Sequence, residues 1–235
     1  MNPRYSRQEE VFGVKGQSRI EKSTVGIIGC GGLGTYVATE LASAGIGRLV
    51  LIDGDSPDIT NLNRQFVYRD GDQEKKAILL ARWIKDLNPD VFVEPHPVFI
   101  NDWNTDVLDD CEILVDCLDS VASRRVLNDY ALKSGATVVH GGVSGMCGQV
   151  TVMVPGKTPC LECILKGDDG DNNPSVSSAV AFIASVQANE VLKIASGIGK
   201  TLEGKILVAD LEMGEVEVTP VSKDPTCSAC SHAEY

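Results

Sequence analysis

The sequence has no surplus of positive charge. Lysine and arginine number 21 against 33 aspartates and glutamates, a formal net charge of -12. That balance excludes nucleic-acid binding as a main task, because a phosphate backbone demands a basic face. It reads as a solvated acidic exterior. No apolar run approaches the ~20 residues needed to span a bilayer. The opening Met1-Asn2-Pro3-Arg4-Tyr5-Ser6-Arg7 is polar and is no secretory signal, so a cytoplasmic protein is expected. There is no internal repeat and no low-complexity tract. Eight cysteines in such a chain argue for metal or redox chemistry rather than a disulfide framework.

What is present fits one soluble α/β domain with a C-terminal appendage: 235 residues, 43% of them hydrophobic. Thr24 to Gly29 is a short, continuously apolar strand of the kind buried on both faces. Leu33 to Ala44 reads as a helix, with Gly45 as its C-cap, and Arg48 to Asp53 as the next strand. This strand, glycine turn, helix, strand order spans about 30 residues, the size of a parallel βαβ unit. A helix over Lys75 to Leu87 ends at Asn88-Pro89. Strands are expected at Val91–Phe99, Glu112–Cys117 and Ala136–Val139, with a helix from about Val121 to Lys133. Gln149 to Val154 begins an antiparallel section, and Pro155 to Pro159 is a turn. Lys166 to Ser178 is a polar surface loop by composition. A long helix over Ser178–Ala195 and a hairpin of Lys205–Ala209 with Glu215–Thr219 close the chain. The expected fold is a Rossmann-like, mostly parallel sheet flanked by helices.

Gly29, Gly31 and Gly34 fit G-x-G-x-x-G between a strand and a helix. The glycines allow close backbone approach to phosphate, and the helix N-terminus offers free N–H groups. Asp53, about twenty residues on at the next strand's end, is placed to accept from ribose hydroxyls. Beyond it, Asn61 and Asn63 offer amides, and Arg64 offers a fixed fork for phosphate oxygens. Lys75 and Lys76 open the following helix against its dipole, which a phosphate between them would justify. Asp119 follows a buried strand at the sheet edge where ligands bind; it reads as a Mg²⁺ ligand or as a helix cap. Arg124, one turn on, could brace it.

Cys160-x-x-Cys163 and Cys227-x-x-Cys230 make two pairs, the ligand set of a closed structural Zn²⁺ site. Zinc there would staple the C-terminal tail to a mid-chain loop. A redox C-x-x-C would need a thioredoxin-like setting that is absent. Cys30, Cys111, Cys117 and Cys147 read as small buried residues, with Cys30, in the phosphate loop, within reach of an oxidant.

Taken together, these motifs resemble the MoeB/ThiF/HesA branch of the ubiquitin-activating-enzyme superfamily over nearly the whole chain. Arg4-Tyr5-Ser6-Arg7-Gln8 is similar to that family's opening. Gly29 to Gly34, Ser43 to Gly47 and Asp53 to Gln65 follow it, as do Asp119, Arg124, Asn128, Gly148 to Thr151 and the four cysteines. The resemblance implies an adenylyltransferase that converts the C-terminal Gly-Gly carboxylate of a ubiquitin-like sulfur carrier to an acyl-adenylate. It implies ATP, Mg²⁺ and structural zinc. Gly29, Gly31, Gly32 and Gly34 would hold phosphate, with Asn61, Arg64 and Lys76 stabilising charge. Asp53 would hold ribose, and Asp119 the Mg²⁺ beside Ser120. Arg7 would reach the nucleotide of a second subunit, which implies a homodimer. The halves would be an arm at 1–23, a nucleotide half at 24–145 and a carrier half at 146–235, with a crossover loop at 166–178.

Three departures stand out. Ser120 replaces the family's usual Asn. The Arg69–Glu74 stretch is one residue short, so Lys76 rather than Lys75 is the aligned lysine. No cysteine lies between Cys163 and Cys227, so the chain is expected to stop at the adenylate and leave the next step to a separate sulfur donor. Three rivals compete. Adenylation of another carboxylate, on a peptide or an RNA-linked amino acid, uses the same site. An NAD-dependent oxidoreductase would leave Arg64, Lys76 and the cysteine pairs idle, with His140 its only obvious proton donor. A silent nucleotide-binding scaffold would not need Arg7, Arg64, Lys76 and Asp119 together.

Overall fold

The computed structural model describes residues 2–165 and 174–231. Among these residues eight strands form one sheet in the order β3-β2-β1-β4-β5-β6-β7-β8. The strands are β1 (Thr24–Ile28), β2 (Arg48–Ile52), β3 (Phe92–His96), β4 (Ile113–Asp116), β5 (Thr137–Ser144), β6 (Cys147–Met153), β7 (Lys205–Asp210) and β8 (Glu215–Pro220). β1 to β5 run parallel; β5 to β8 pair antiparallel. β1 lies between β2 and β4, so the crossovers leave it in opposite directions. The loops at that switch point part and open a crevice at the strands' C-terminal ends.

Among the described residues six α-helices accompany the sheet: α1 (Ser6–Ile20), α2 (Gly32–Ala44), α3 (Lys76–Leu87), α4 (Val121–Ser134), α5 (Leu161–Ile164) and α6 (Ser177–Ser196). α2 and α6 cover one face, where Ile27, Leu51, Val115 and Val139 are fully buried. The other face buries Ile28, Val50, Leu114 and Val138 under α4 and the cysteine region. Both faces being covered explains why β1, β2 and β4 read as unbroken apolar runs. Two glycines set the fit of α2. Gly29 has φ +98°, and a Cβ there would lie 2.5 Å from the Cys117 carbonyl oxygen. A Cβ on Gly34 would lie 1.9 Å from the Gly29 carbonyl oxygen. α2 therefore seats directly on the turn that follows β1.

Several boundaries differ from the sequence reading. β3 is shorter, Phe92–His96, and holds Pro95; as an edge strand it tolerates the missing donor. β5 extends past Val139 to Ser144, because β6 pairs with it along Gly141 and Gly142, where the glycines hide the strand pattern. α3 begins at Lys76, with Lys75 its N-cap. The four-residue α5 was not anticipated. The crossover loop falls mostly on residues 166–173, outside those described, and Ser177 and Ser178 belong to α6. β8 is exposed along its whole length at the free edge of the sheet. Among the described residues, no helix is long and apolar enough to cross a membrane.

Candidate active site

The crevice is a cavity of about 600 Å³. Gly29, Gly31, Gly32, Asp53, Asn61, Arg64, Lys76, Asp119 and Ser120 all line it. Residues read from four separate stretches of sequence thus share one wall. The ends of β1, β2 and β4 supply the glycine turn, Asp53 and the segment of Asp119; α3 supplies Lys76. Gly34 and Arg7 are not on the wall. Gly34 serves the packing of α2 on the turn. Arg7 is exposed on α1.

Asp53 ties the turn to β2: Cys30 N–H donates to Oδ2 at 2.7 Å and Asp55 N–H to Oδ1 at 2.8 Å. Burial raises its pKa, against those two N–H groups. Arg64 donates to neutral oxygens, the Thr60 carbonyl at 3.2 Å and the Asn63 amide at 2.8 Å. Its positive charge is therefore available to an anion in the cavity. Asn61 closes a capping box with Asp58.

The lysines separate. Lys75 is exposed and off the wall, whereas Lys76 is 5% exposed and on it. Lys76 Nζ reaches Asp55 Oδ2 at 2.7 Å, so its charge is balanced by a carboxylate, not by a phosphate shared with Lys75. Asp55 joins the site as a residue of the Asp53–Gln65 stretch to which the sequence reading gave no role. So does Gln65, only 4% exposed, whose Oε1 lacks a hydrogen-bond partner and which also lines the cavity.

The helix cap belongs to Ser120: its hydroxyl accepts from Ser123 N–H at 3.2 Å. Asp119 stands exposed on the wall. An exposed carboxylate beside an anion-receptive turn suits Mg²⁺, which takes one or two carboxylates along with phosphate oxygens. Behind it lies Asp116, fully buried. His140 Nδ1 is 2.7 Å from Asp116 Oδ2, and Arg124 Nε is 3.5 Å from the same atom, an ion pair without a hydrogen bond. Burial pushes the Asp116 pKa up, but His140, Arg124 and Leu118 N–H outweigh it and hold it below the usual carboxylate range. His140 is itself fully buried, so it cannot be a proton donor to substrate. It sits within β5.

The four cysteines meet. Sγ–Sγ separations are 3.6 Å for Cys160–Cys227, 3.5 Å for Cys163–Cys230 and 3.9 Å for Cys160–Cys163. Four thiolates at ~2.3 Å from zinc would be roughly 3.8 Å apart, so the set fits a tetrahedral ion. All four are buried. Burial pushes the Cys227 thiol up, yet backbone N–H groups of Cys230 and Ala229 bring it down to about 7. Asn128 Oδ1 accepts from Leu161 N–H at 2.9 Å and joins α4 to this knot. Two expectations fail. Cys30 is fully buried, and burial raises its thiol, so no oxidant has access to it. Cys147 is exposed, because it opens β6 at a hairpin tip.

Residues 5–229 match the model of the ThiF family. The chain belongs to the ThiF family. It is 33% identical to a sulfur carrier protein adenylyltransferase of Thermus thermophilus over 243 residues, covering 97% of this chain and 90% of that protein. It is also 33% identical to an adenylyltransferase and sulfurtransferase MOCS3 of Xenopus laevis over 241 residues. There it covers 97% of this chain but 53% of the relative, so the chain spans about half that protein's length. Among solved structures, E. coli MccB crystallised with MccA superposes with a TM-score of 0.87 at 25% identity, over 98% of this chain and 74% of that one. MccB has also been crystallised with ATP; that structure, at 24% identity and a TM-score of 0.85, attests the fold over 98% of this chain and 75% of that one.

Proposed function

We propose that this ThiF-family protein is an ATP-dependent adenylyltransferase acting on the C-terminal Gly-Gly carboxylate of a ubiquitin-like sulfur carrier. The carrying observation is the single cavity in which a glycine turn, Asp53, Arg64, Lys76 and Asp119 meet. The glycine turn would cradle phosphates and Asp53 would accept from ribose. The carrier's carboxylate oxygen attacks the α-phosphorus, the bond to the bridging oxygen breaks, and pyrophosphate leaves. Negative charge gathers on the phosphate oxygens as this happens, and fixed cations are the largest expected catalytic contribution. Arg64 and Lys76, both on the cavity wall, would take that role. Asp119 would hold Mg²⁺, which screens phosphate charge when bound. The absence of cysteine between Cys163 and Cys227 supports a product that stays an acyl-adenylate until a separate sulfur donor takes it. Arg7, exposed on α1, is assigned to the site of a second subunit in a homodimer.

Exchange of radiolabelled pyrophosphate into ATP tests the reading. Each Gly-Gly-ending ubiquitin-like protein of the same genome is supplied in turn with Mg²⁺. Exchange is expected with one carrier, and Asp119→Ala is expected to lower it by ~10²–10³. A thioester between carrier and enzyme would refute the stop at the adenylate. A second reading keeps the site and changes the carboxylate to another peptide C-terminus. The likeness to MccB favours it, and exchange without any sulfur carrier would select it.

A further inference from the structure

Asp116 and His140 are cross-strand neighbours on parallel β4 and β5, and neither has any exposure. A buried carboxylate costs several kcal/mol unless it is paired and hydrogen-bonded. Asp116 is both, and each partner leads somewhere. Oδ1 accepts from Leu118 N–H at 3.0 Å. Oδ2 meets His140 Nδ1 and Arg124. Arg124 in turn donates from its terminal nitrogen to the Leu118 carbonyl at 2.5 Å. Leu118 is thus clamped at both its N–H and its C=O, and the next residue is Asp119. On the other side, Gln149 Nε2 lies 3.2 Å from His140 Nε2. An amide NH₂ only donates, so the ring accepts at Nε2 and carries its hydrogen on Nδ1, facing Asp116.

We infer that His140 is a positioning residue for the Mg²⁺ carboxylate: through Asp116 and the clamp on Leu118 it fixes where Asp119 stands. The inference rests on the proposed reading of Asp119. Without the Nδ1 hydrogen, the Asp116 carboxylate is free to turn toward Arg124 and release Leu118 N–H. Asp119 then loses its fixed position while the glycine turn, Asp53 and Arg64 keep theirs. The loss falls on magnesium, not on nucleotide as such. Groups that orient a metal ligand from behind typically contribute about 10- to 100-fold in metal affinity.

The measurement is ATP affinity by calorimetry, once in buffer without added Mg²⁺ and without chelator, so that zinc stays bound, and once in excess Mg²⁺. The ratio of the two dissociation constants is the readout. In His140→Leu the magnesium enhancement is expected to fall about ten-fold, with the magnesium-free value unchanged. His140→Asn, whose amide nitrogen stands near the place of Nδ1, is expected to restore it. His140→Gln, which replaces only Nε2, is not. A folded His140→Leu with the wild-type enhancement overturns the inference. If that variant does not fold, equal behaviour of the Asn and Gln variants overturns it. Wild-type protein that binds ATP without help from Mg²⁺ refutes both the inference and the role of Asp119. Normal magnesium enhancement without carrier-dependent exchange sinks only the carrier reading.

Discussion

Asp116 carries its charge where no water reaches it. Its folded-state pKa lies below the unfolded value of about 4. The stability it contributes is therefore complete above that unfolded value and is lost as pH falls through the lower folded one. Unfolding free energy followed by denaturant titration should drop as the solution is taken below about pH 4. Asp116→Asn should be less stable at neutral pH and show a shallower acid limb. Equal acid limbs would mean that other carboxylates carry the dependence. Lys76 is likewise buried, on the cavity wall, and its charge is paired with Asp55.

At the level of elements, the turn between β1 and α2 has the least tolerance. Gly34→Ala puts a methyl carbon 1.9 Å from the Gly29 carbonyl oxygen, and the obstacle is backbone, which cannot swing aside. Overpacking of this kind costs about 1–3 kcal/mol. A lower melting temperature and weaker ATP binding should appear together; unchanged ATP affinity would separate the turn from the nucleotide. This element was plain in the sequence, since an apolar run, a glycine pattern and an acid at fixed spacing all declare it locally. So were the cysteine pairs and the closing hairpin. The Asp116–His140 pair was not, because β4–β5 register joins residues that lie 24 positions apart and neither belongs to a motif. Lys76 was chosen over Lys75 from the family pattern rather than from the residues themselves, since two adjacent lysines at a helix start differ only in helix phase; Lys76 is the one on the wall. Ser120 as the cap became visible only with the hydroxyl's contact to Ser123 N–H.

For the whole molecule, the cysteine knot joins Cys160 to Cys227 across 67 positions. α5, α6 and the β7–β8 hairpin all lie in the stretch between. Metal binding there is folding free energy, because the unfolded chain has no such site. Chelation, or Cys227→Ser, should lower the melting temperature by on the order of 10 °C, at ~2–4 °C per kcal/mol for a chain of this size; an unshifted melt would rule out a structural ion. The homodimer has its own check. Arg7→Ala and Asp119→Ala enzymes, each inactive alone, should regain exchange in roughly a quarter of sites when mixed and allowed to trade subunits. No recovery on mixing would return Arg7 to its own subunit. The free margin of the sheet has a different consequence. β8 reads Glu-Val-Glu-Val-Thr-Pro, exposed throughout, with Glu215 and Glu217 on either side of Val216. A second molecule aligning edge to edge would set like charges against each other, and Pro220 has no N–H to offer it. Strand-by-strand growth into fibres is thereby deterred. Replacing both glutamates with valine would remove that deterrent and leave bare valines on an open ladder, so that variant is the one expected to clump.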